Sequence, residues 1–346
     1  MQQTAKDNRI PVMITYLLEH YYGTGVVADM NPMKVEHAHP AVTSLIANIE
    51  KVLIGKSSVV ELTVTALLAN GHVLLEDVPG VGKTMLVRAL AKSIGGNFKR
   101  IQFTPDLLPT DVTGVAIYNQ KSMEFEFRQG PLFANVVLAD EINRTSPKTQ
   151  SALLEALEER SITVDGTTYR LAQPFFVMAT QNPLEYEGTF PLPEAQLDRF
   201  LMQLRLGYPS VKEETEMLSR FSDGNPLETL EPVLSAEELR QLQEMAGAVK
   251  VSDGIKEYIV RLCHKTREHQ HIYLGVSPRG SLALYRAVQA LAFVRGRDYV
   301  IPDDVKELAP VVFGHRMIVK PEARLDGATA ERILTVILAE TRVPVN

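Results

Sequence analysis

The sequence predicts an α/β protein: a parallel sheet covered by helices on both faces, joined to a second, smaller all-α domain. Two observations carry this expectation. Short apolar runs bounded by turns recur between residues 72 and 206, with helical segments between them. Beyond residue 209 the apolar positions fall at helical spacing. Runs that are apolar throughout, rather than alternating, suit strands buried on both faces, which is the condition of a parallel sheet. A chain of 346 residues, 45% hydrophobic and 23% charged, is long enough to fill two such cores.

Residues 1–40 stand apart. Tyr16, Tyr21, Tyr22, Gly23, Gly25, Pro32 and Pro40 mix sticky and structure-breaking side chains without a period. An N-terminal extension, poorly ordered or loosely docked, is expected there. Its apolar run from Pro11 to Leu18 is shorter than a membrane span, and Glu19 and His20 follow at once. No small-residue cleavage site follows either, so no signal peptide is expected.

From residue 41 the pattern is regular. Val42, Leu45, Ile46, Ile49 and Leu53 mark a first helix, Gly55 breaks it, and residues 59–70 make a second. Strands are expected at 72–75, 98–103, 136–139, 175–179 and 200–206, with a helix over 85–94. Asp165-Gly166, inside the alternating segment from Ile162 to Arg170, reads as the turn of a β-hairpin. Gly207-Tyr208-Pro209-Ser210 punctuates the end of the α/β half. Helices then follow over 211–221, 235–249, 254–269, 281–294, 302–313 and 329–340. Ser235 with Glu238 makes a capping box, and Pro302 with Asp303 and Asp304 opens a helix where its dipole favours carboxylates. The expected divisions are therefore 1–40, 41–209 and 210–346.

Charge and cysteine content narrow the function classes. Lys and Arg total 36 against 42 Asp and Glu, a formal charge of −6. Such a chain lacks the bulk attraction to phosphate backbones or anionic lipid, so constitutive nucleic-acid binding and membrane insertion are not expected. Cys263 is the one cysteine, which excludes an internal disulfide framework and suits a reducing, cytoplasmic setting. Cys263, His264, His269 and His271 lie close in sequence, but their spacing fits no familiar zinc site.

One segment carries chemistry. After the strand ending at Leu75 comes Glu76-Asp77-Val78-Pro79-Gly80-Val81-Gly82-Lys83-Thr84, then a helical run from Met85. Strand, glycine loop and helix N-terminus together form the context of a phosphate-binding loop. Gly80 and Gly82 allow backbone N–H groups to turn toward an anion, and the helix adds the positive end of its dipole. Lys83 can reach the β- and γ-phosphates of a nucleotide, and Thr84 offers a hydroxyl to Mg²⁺. The usual first glycine of such a loop is replaced by Asp77. The candidate phosphate contacts are Pro79, Gly80, Val81, Gly82, Lys83, Thr84 and Met85. A second apolar strand ends in Asp140-Glu141, placing one carboxylate for Mg²⁺ and one to polarise an attacking water. A third ends in Gln181-Asn182-Pro183, with Asn182 a candidate to orient that water.

With these residues the chain resembles the AAA+ ATPases, whose core is a P-loop NTPase fold, and closely the MoxR family of the helix-2-insert clade. The matching segments are Leu75 to Thr84, Gln102 to Asp111, Asp140 to Arg144, Ser146 to Gln150, Ala179 to Pro183, Glu194 to Phe200, and Ser277-Pro278-Arg279. The resemblance runs from about residue 41 to the C-terminus, and Gln102 to Asp111 is the family's own motif. It implies Walker A roles for Lys83 and Thr84, Walker B roles for Asp140 and Glu141, and a sensor role for Asn182. It implies that Arg199 is an arginine finger reaching a neighbour's ATP. Arg279 would contact the γ-phosphate from within its own chain. It also implies an insert at Thr113 to Arg128, a nucleotide-binding core at 41–209 and a lid at 210–346. The activity implied is Mg²⁺-dependent hydrolysis of ATP to ADP and phosphate in a ring, expected to be a hexamer. The output would be chaperone-like remodelling or maturation of protein clients, with a von Willebrand factor A domain protein as a possible partner. Two other classes stay open on the residues alone: a nucleic-acid-stimulated motor, and a nucleotide-gated binding module with little turnover.

Overall fold

A computed structural model describes residues 38–182, 188–222 and 224–344. Most of the expected N-terminal extension, residues 1–37, lies outside the described residues, as does Pro183. Helices α1 (Pro40–Glu50) and α2 (Ser57–Leu68) lead into strand β1 (Val73–Glu76), helix α3 (Lys83–Ser93) and strand β2 (Phe98–Gln102). A short helix α4 (Pro109–Thr113) precedes an antiparallel hairpin of β3 (Gly114–Asn119) and β4 (Glu124–Gln129). Strand β5 (Val136–Asp140), helix α5 (Pro147–Glu159), a second hairpin of β6 (Ser161–Val164) and β7 (Thr167–Arg170), and strand β8 (Phe176–Gln181) follow. A one-turn helix α6 (Glu194–Leu197) and strand β9 (Met202–Leu204) complete this half.

The five expected strands form one parallel sheet in the order β2-β5-β8-β1-β9. Its two faces divide as period-two geometry requires. Val73, Leu75, Val136, Leu138, Phe176 and Met178 pack with α1, α2 and α3. Leu74, Val137, Ala139, Val177 and Ala179 pack on the opposite side with Leu153, Leu154 and Leu157 of α5. Helix α5 was not marked by the sequence pattern. Ser146 caps it and Pro147 occupies its first turn, a start signal that was present but short.

The smaller domain contains α7 (Val211–Ser222), α8 (Ala236–Gly247), α9 (Asp253–Glu268), α10 (Pro278–Val294), α11 (Pro302–Phe313), α12 (Pro321–Leu325) and α13 (Ala330–Glu340). It is helical with one addition: β10 (Ile272–Leu274) pairs antiparallel with β11 (Ile318–Val319). Strands of three and two residues are too short to show an alternation in the sequence. Its apolar interior is continuous with the α1–α3 face of the sheet. Among the described residues no helix is long and apolar enough to cross a membrane.

His72, just before β1, ties three elements together. Its Nδ1 accepts from the Val177 N–H at 3.1 Å, and its Nε2 lies 3.2 Å from the Leu157 carbonyl near the end of α5. That pairing requires a neutral ring with the proton on Nε2. Burial holds its pKa down at about 4. Since the unfolded value is about 6.5, the unfolded chain takes up a proton between these limits and the folded chain does not. The contribution is thus fully present above pH 6.5 and lost as pH falls through about 4. Denaturant titrations should show roughly 3 kcal/mol of stability disappearing over that window through this residue. His72→Gln should flatten that part of the pH profile; an unchanged slope would contradict the assignment.

Candidate active site

The phosphate loop begins at the C-terminal end of β1, between β8 and β9 in the sheet. Gly80 and Gly82 have φ of +86° and +100°, angles that disfavour any side chain. A Cβ built at either glycine meets nothing within 4 Å, so the backbone angle, and not crowding, demands glycine there. Gly82 caps α3, whose first turn carries Lys83, Thr84 and Met85. Lys83 Nζ donates to the Asp77 carbonyl across the loop at 2.9 Å. Pro79, Gly80 and Val81 make the outer part of the same turn.

Asp77 explains the departure from the usual loop pattern. Its carboxylate is buried and accepts backbone N–H groups from Leu206 and Gly207, the second at 3.2 Å. Burial pushes its pKa up, and the two N–H donors work against that rise. The residue therefore fastens the start of the loop to the segment that leaves β9 for the smaller domain.

Asp140 ends β5 and Glu141 follows it in the left-handed region, with φ +58°. Holding a non-glycine residue there costs about 1–3 kcal/mol, which surrounding contacts must supply. Thr180, fully buried on β8, supplies two of them. Its hydroxyl donates to Asp140 Oδ1 at 2.6 Å and accepts the Glu141 N–H at 2.8 Å. Arg100 on β2 donates through Nε to Asp140 Oδ2 at 3.0 Å. Gln102 donates to Glu141 Oε2 at 2.7 Å, and Arg144 Nε lies 3.4 Å from the same oxygen. Asn182 is buried just past the end of β8.

These residues fit a magnesium nucleotide. Among the described residues no cluster of three or more His, Cys, Asp or Glu could hold a metal unaided. Mg²⁺ needs no such cluster when nucleotide phosphates complete its shell, and one or two protein oxygens then suffice. Thr84, in the first turn of α3, and Asp140, at the end of β5, are candidates for those oxygens.

The two predicted arginines lie elsewhere. Leu201 N–H donates to the His72 carbonyl at 2.8 Å, which puts the 198–201 segment at the N-terminal end of β1. The phosphate loop leaves the other end, four strand residues away, or roughly 13 Å at the usual rise. Arg199 Nη2 lies 3.2 Å from Glu158 Oε2, and Arg279 Nη2 bonds the other oxygen of the same carboxylate. Arg279 is thus grouped with Arg199 and stands apart from its own phosphate loop. The physical reason is Asp198. Its carboxylate accepts Ser277 Oγ at 2.8 Å and Arg316 Nε at 2.6 Å, pinning the start of α10 beside Arg199.

The comparisons with known proteins agree with this architecture. Residues 72–202 match the ATPase family associated with various cellular activities (AAA), and residues 264–337 match the AAA lid domain. The chain is 44% identical to Chaperone MoxR1 of Mycobacterium tuberculosis, over 86% of this chain and 81% of that protein. It is 33% identical to Protein MoxR of Paracoccus denitrificans, over 80% and 88% respectively. The chain belongs to the MoxR family of AAA+ ATPases. A crystal structure of a protein assigned as an ATPase, from Cytophaga hutchinsonii, superimposes with a TM-score of 0.83. It is 40% identical and covers 88% of this chain and 95% of its own. The uncharacterized protein YeaC of Bacillus subtilis is 62% identical over 90% of this MoxR chain and 97% of its own length.

Sequence reasoning missed Thr180, Arg100, Glu158 and the Asp198–Arg316 pair. Thr180 stood inside a quoted motif, and its position one residue before Gln181 was the available signal. Removing its hydroxyl while keeping its shape leaves Asp140 Oδ1 and the Glu141 N–H without this partner. Thr180→Val should therefore cost about 1–3 kcal/mol by denaturant titration. A cost below a few tenths of a kcal/mol would show that the hydroxyl holds neither group.

Proposed function

We propose that this MoxR protein is a magnesium-dependent ATPase that works as a ring, with six subunits expected, and remodels or matures protein clients. The single observation that carries this reading is the separation of Arg199 and Arg279 from the phosphate loop of their own chain. Phosphoryl transfer depends chiefly on charge positioned around the γ-phosphate, and a finger arginine contributes about 10³–10⁵ in rate. A chain whose cradle and guanidiniums lie at opposite ends of one strand completes its site by pairing with another copy.

In that assembly the loop N–H groups and Lys83 bind the triphosphate. Mg²⁺, when bound through Thr84 and Asp140, supplies neutralising charge to the phosphates. Glu141 accepts a proton from the attacking water, and Asn182 orients that water. Arg199 and Arg279 of a neighbour stabilise the charge that develops as the bond to the leaving ADP breaks. Asp77 gives a route from the phosphate loop to the smaller domain through Leu206 and Gly207. An apolar patch supports a protein as the client. Met123 and Phe125 on the first hairpin are 75% and 74% exposed, and Phe127 stacks on Tyr169 of the second hairpin at 4.1 Å. A von Willebrand factor A domain protein is the expected partner class.

Specific activity should rise with protein concentration through the range in which copies associate. A flat profile at dilutions that dissociate the assembly would overturn the shared site. Glu141→Gln should retain ATP and release phosphate at least about 100-fold more slowly. Equal phosphate release by variant and parent would remove Glu141 as the base.

A further inference from the structure

We infer that Glu158 is a positioning residue that sets the spacing of Arg199 and Arg279 for delivery to a neighbouring subunit's γ-phosphate. The inference rests on the shared-site reading above and names a residue that reading does not include. Three separate segments converge at this carboxylate: the end of α5, the 198–201 segment and the start of α10. Each backbone is held by contacts other than Glu158. The end of α5 is held through the Leu157 carbonyl to His72, and Arg160 closes the helix in the left-handed region with φ +50°. The other two are joined through Asp198, which accepts from both Ser277 and Arg316.

The guanidiniums themselves stand at the ends of flexible stems. Among the described residues, Glu158 is the one hydrogen-bond or ion-pair partner of these guanidiniums: Oε2 faces Arg199 and Oε1 faces Arg279. Two like charges brought to one place repel, and the positive charge of Arg316 also acts there, since its pKa is depressed in part by Arg279. One carboxylate between the two arginines offsets that repulsion and fixes their separation. It also leaves donors unspent, because each arginine engages Glu158 through Nη2 and the buried Nε of Arg199 has no hydrogen-bond partner among the described residues. Two guanidiniums against one carboxylate leave this group of three side chains with an excess of positive charge. The side chains are 28%, 38% and 41% exposed for Arg199, Glu158 and Arg279, so the group is accessible from outside the chain.

Mixed assemblies test this. Lys83→Ala subunits keep both arginines but lose the lysine that holds nucleotide. Subunits carrying Arg199→Ala with Arg279→Ala keep the cradle but offer no guanidinium. Each should be inactive alone, and their mixture should recover ATPase activity. With Glu158→Gln added to the Lys83→Ala chain, the recovered kcat should fall roughly 10–100-fold, the scale of a misplaced catalytic group, with KM for ATP within about twofold. Glu158→Asp in the same chain should retain more activity than the glutamine variant. The glutamine substitution placed instead in the chain lacking both arginines should leave the mixture unchanged, which a general folding defect would not do. No recovery in the starting mixture would overturn the shared site and this inference with it. Recovery unaffected by Glu158→Gln in the arginine-bearing chain would overturn the inference alone. So would equal loss from either placement, or a rise in rate, which would show the carboxylate competing with phosphate.

Discussion

The buried ion pair between Arg316 and Asp198 is the joint on which the arrangement of this molecule depends. Arg316 comes from the smaller domain and is 2% exposed at its side chain. Burial, and to a lesser degree the charge of Arg279, pulls its pKa down, opposed by the charge of Asp198. Beyond the carboxylate it donates to the carbonyls of Asp198, Phe200, Leu201 and Val312, so its charge is spread over several acceptors. A buried pair of this kind adds little net stability, but breaking it by removing one partner costs about 3–5 kcal/mol. Its effect is to specify geometry: one guanidinium fixes the segment carrying Arg199, and through Ser277 the same carboxylate fixes the turn carrying Arg279.

A second joint lies at the other end of the sheet. The Asp77 carboxylate holds Leu206 and Gly207 while its carbonyl receives Lys83. The lysine that would meet a triphosphate and the segment leaving the sheet are therefore bound to one residue. Around the second strand the logic is similar: Thr180, Arg100 and Gln102 occupy the oxygens of Asp140 and Glu141 from the two neighbouring strands. The carboxylates are held by register, since Gln102 pairs with Asp140 in the ladder and Ala139 with Ala179.

Much of this was legible in the sequence, and the legible parts share a cause. A strand buried on both faces reads as an unbroken apolar run, and a phosphate loop needs glycine at fixed offsets, so both are local facts. The five strands and the Gly80-to-Thr84 turn were found that way. The rest depends on residues distant in sequence. Arginine is ordinarily exposed, and nothing near Arg316 announces a partner 118 residues away. Glu158 carries no signal of its own in the sequence, because its two partners come from other segments. The pairing of Arg279 with Glu158 is hidden for the same reason: its neighbour is set by Asp198 and Ser277, which no spacing rule connects.

The polarity of β1 has one more consequence. Complementary surfaces at the two ends of a single strand allow copies to join head to tail, each using a different face from its neighbour, and such heterologous contacts either close or propagate. The rotation relating one copy to the next then fixes the subunit number, and a small change in that angle would turn a closed assembly into a helical fibre.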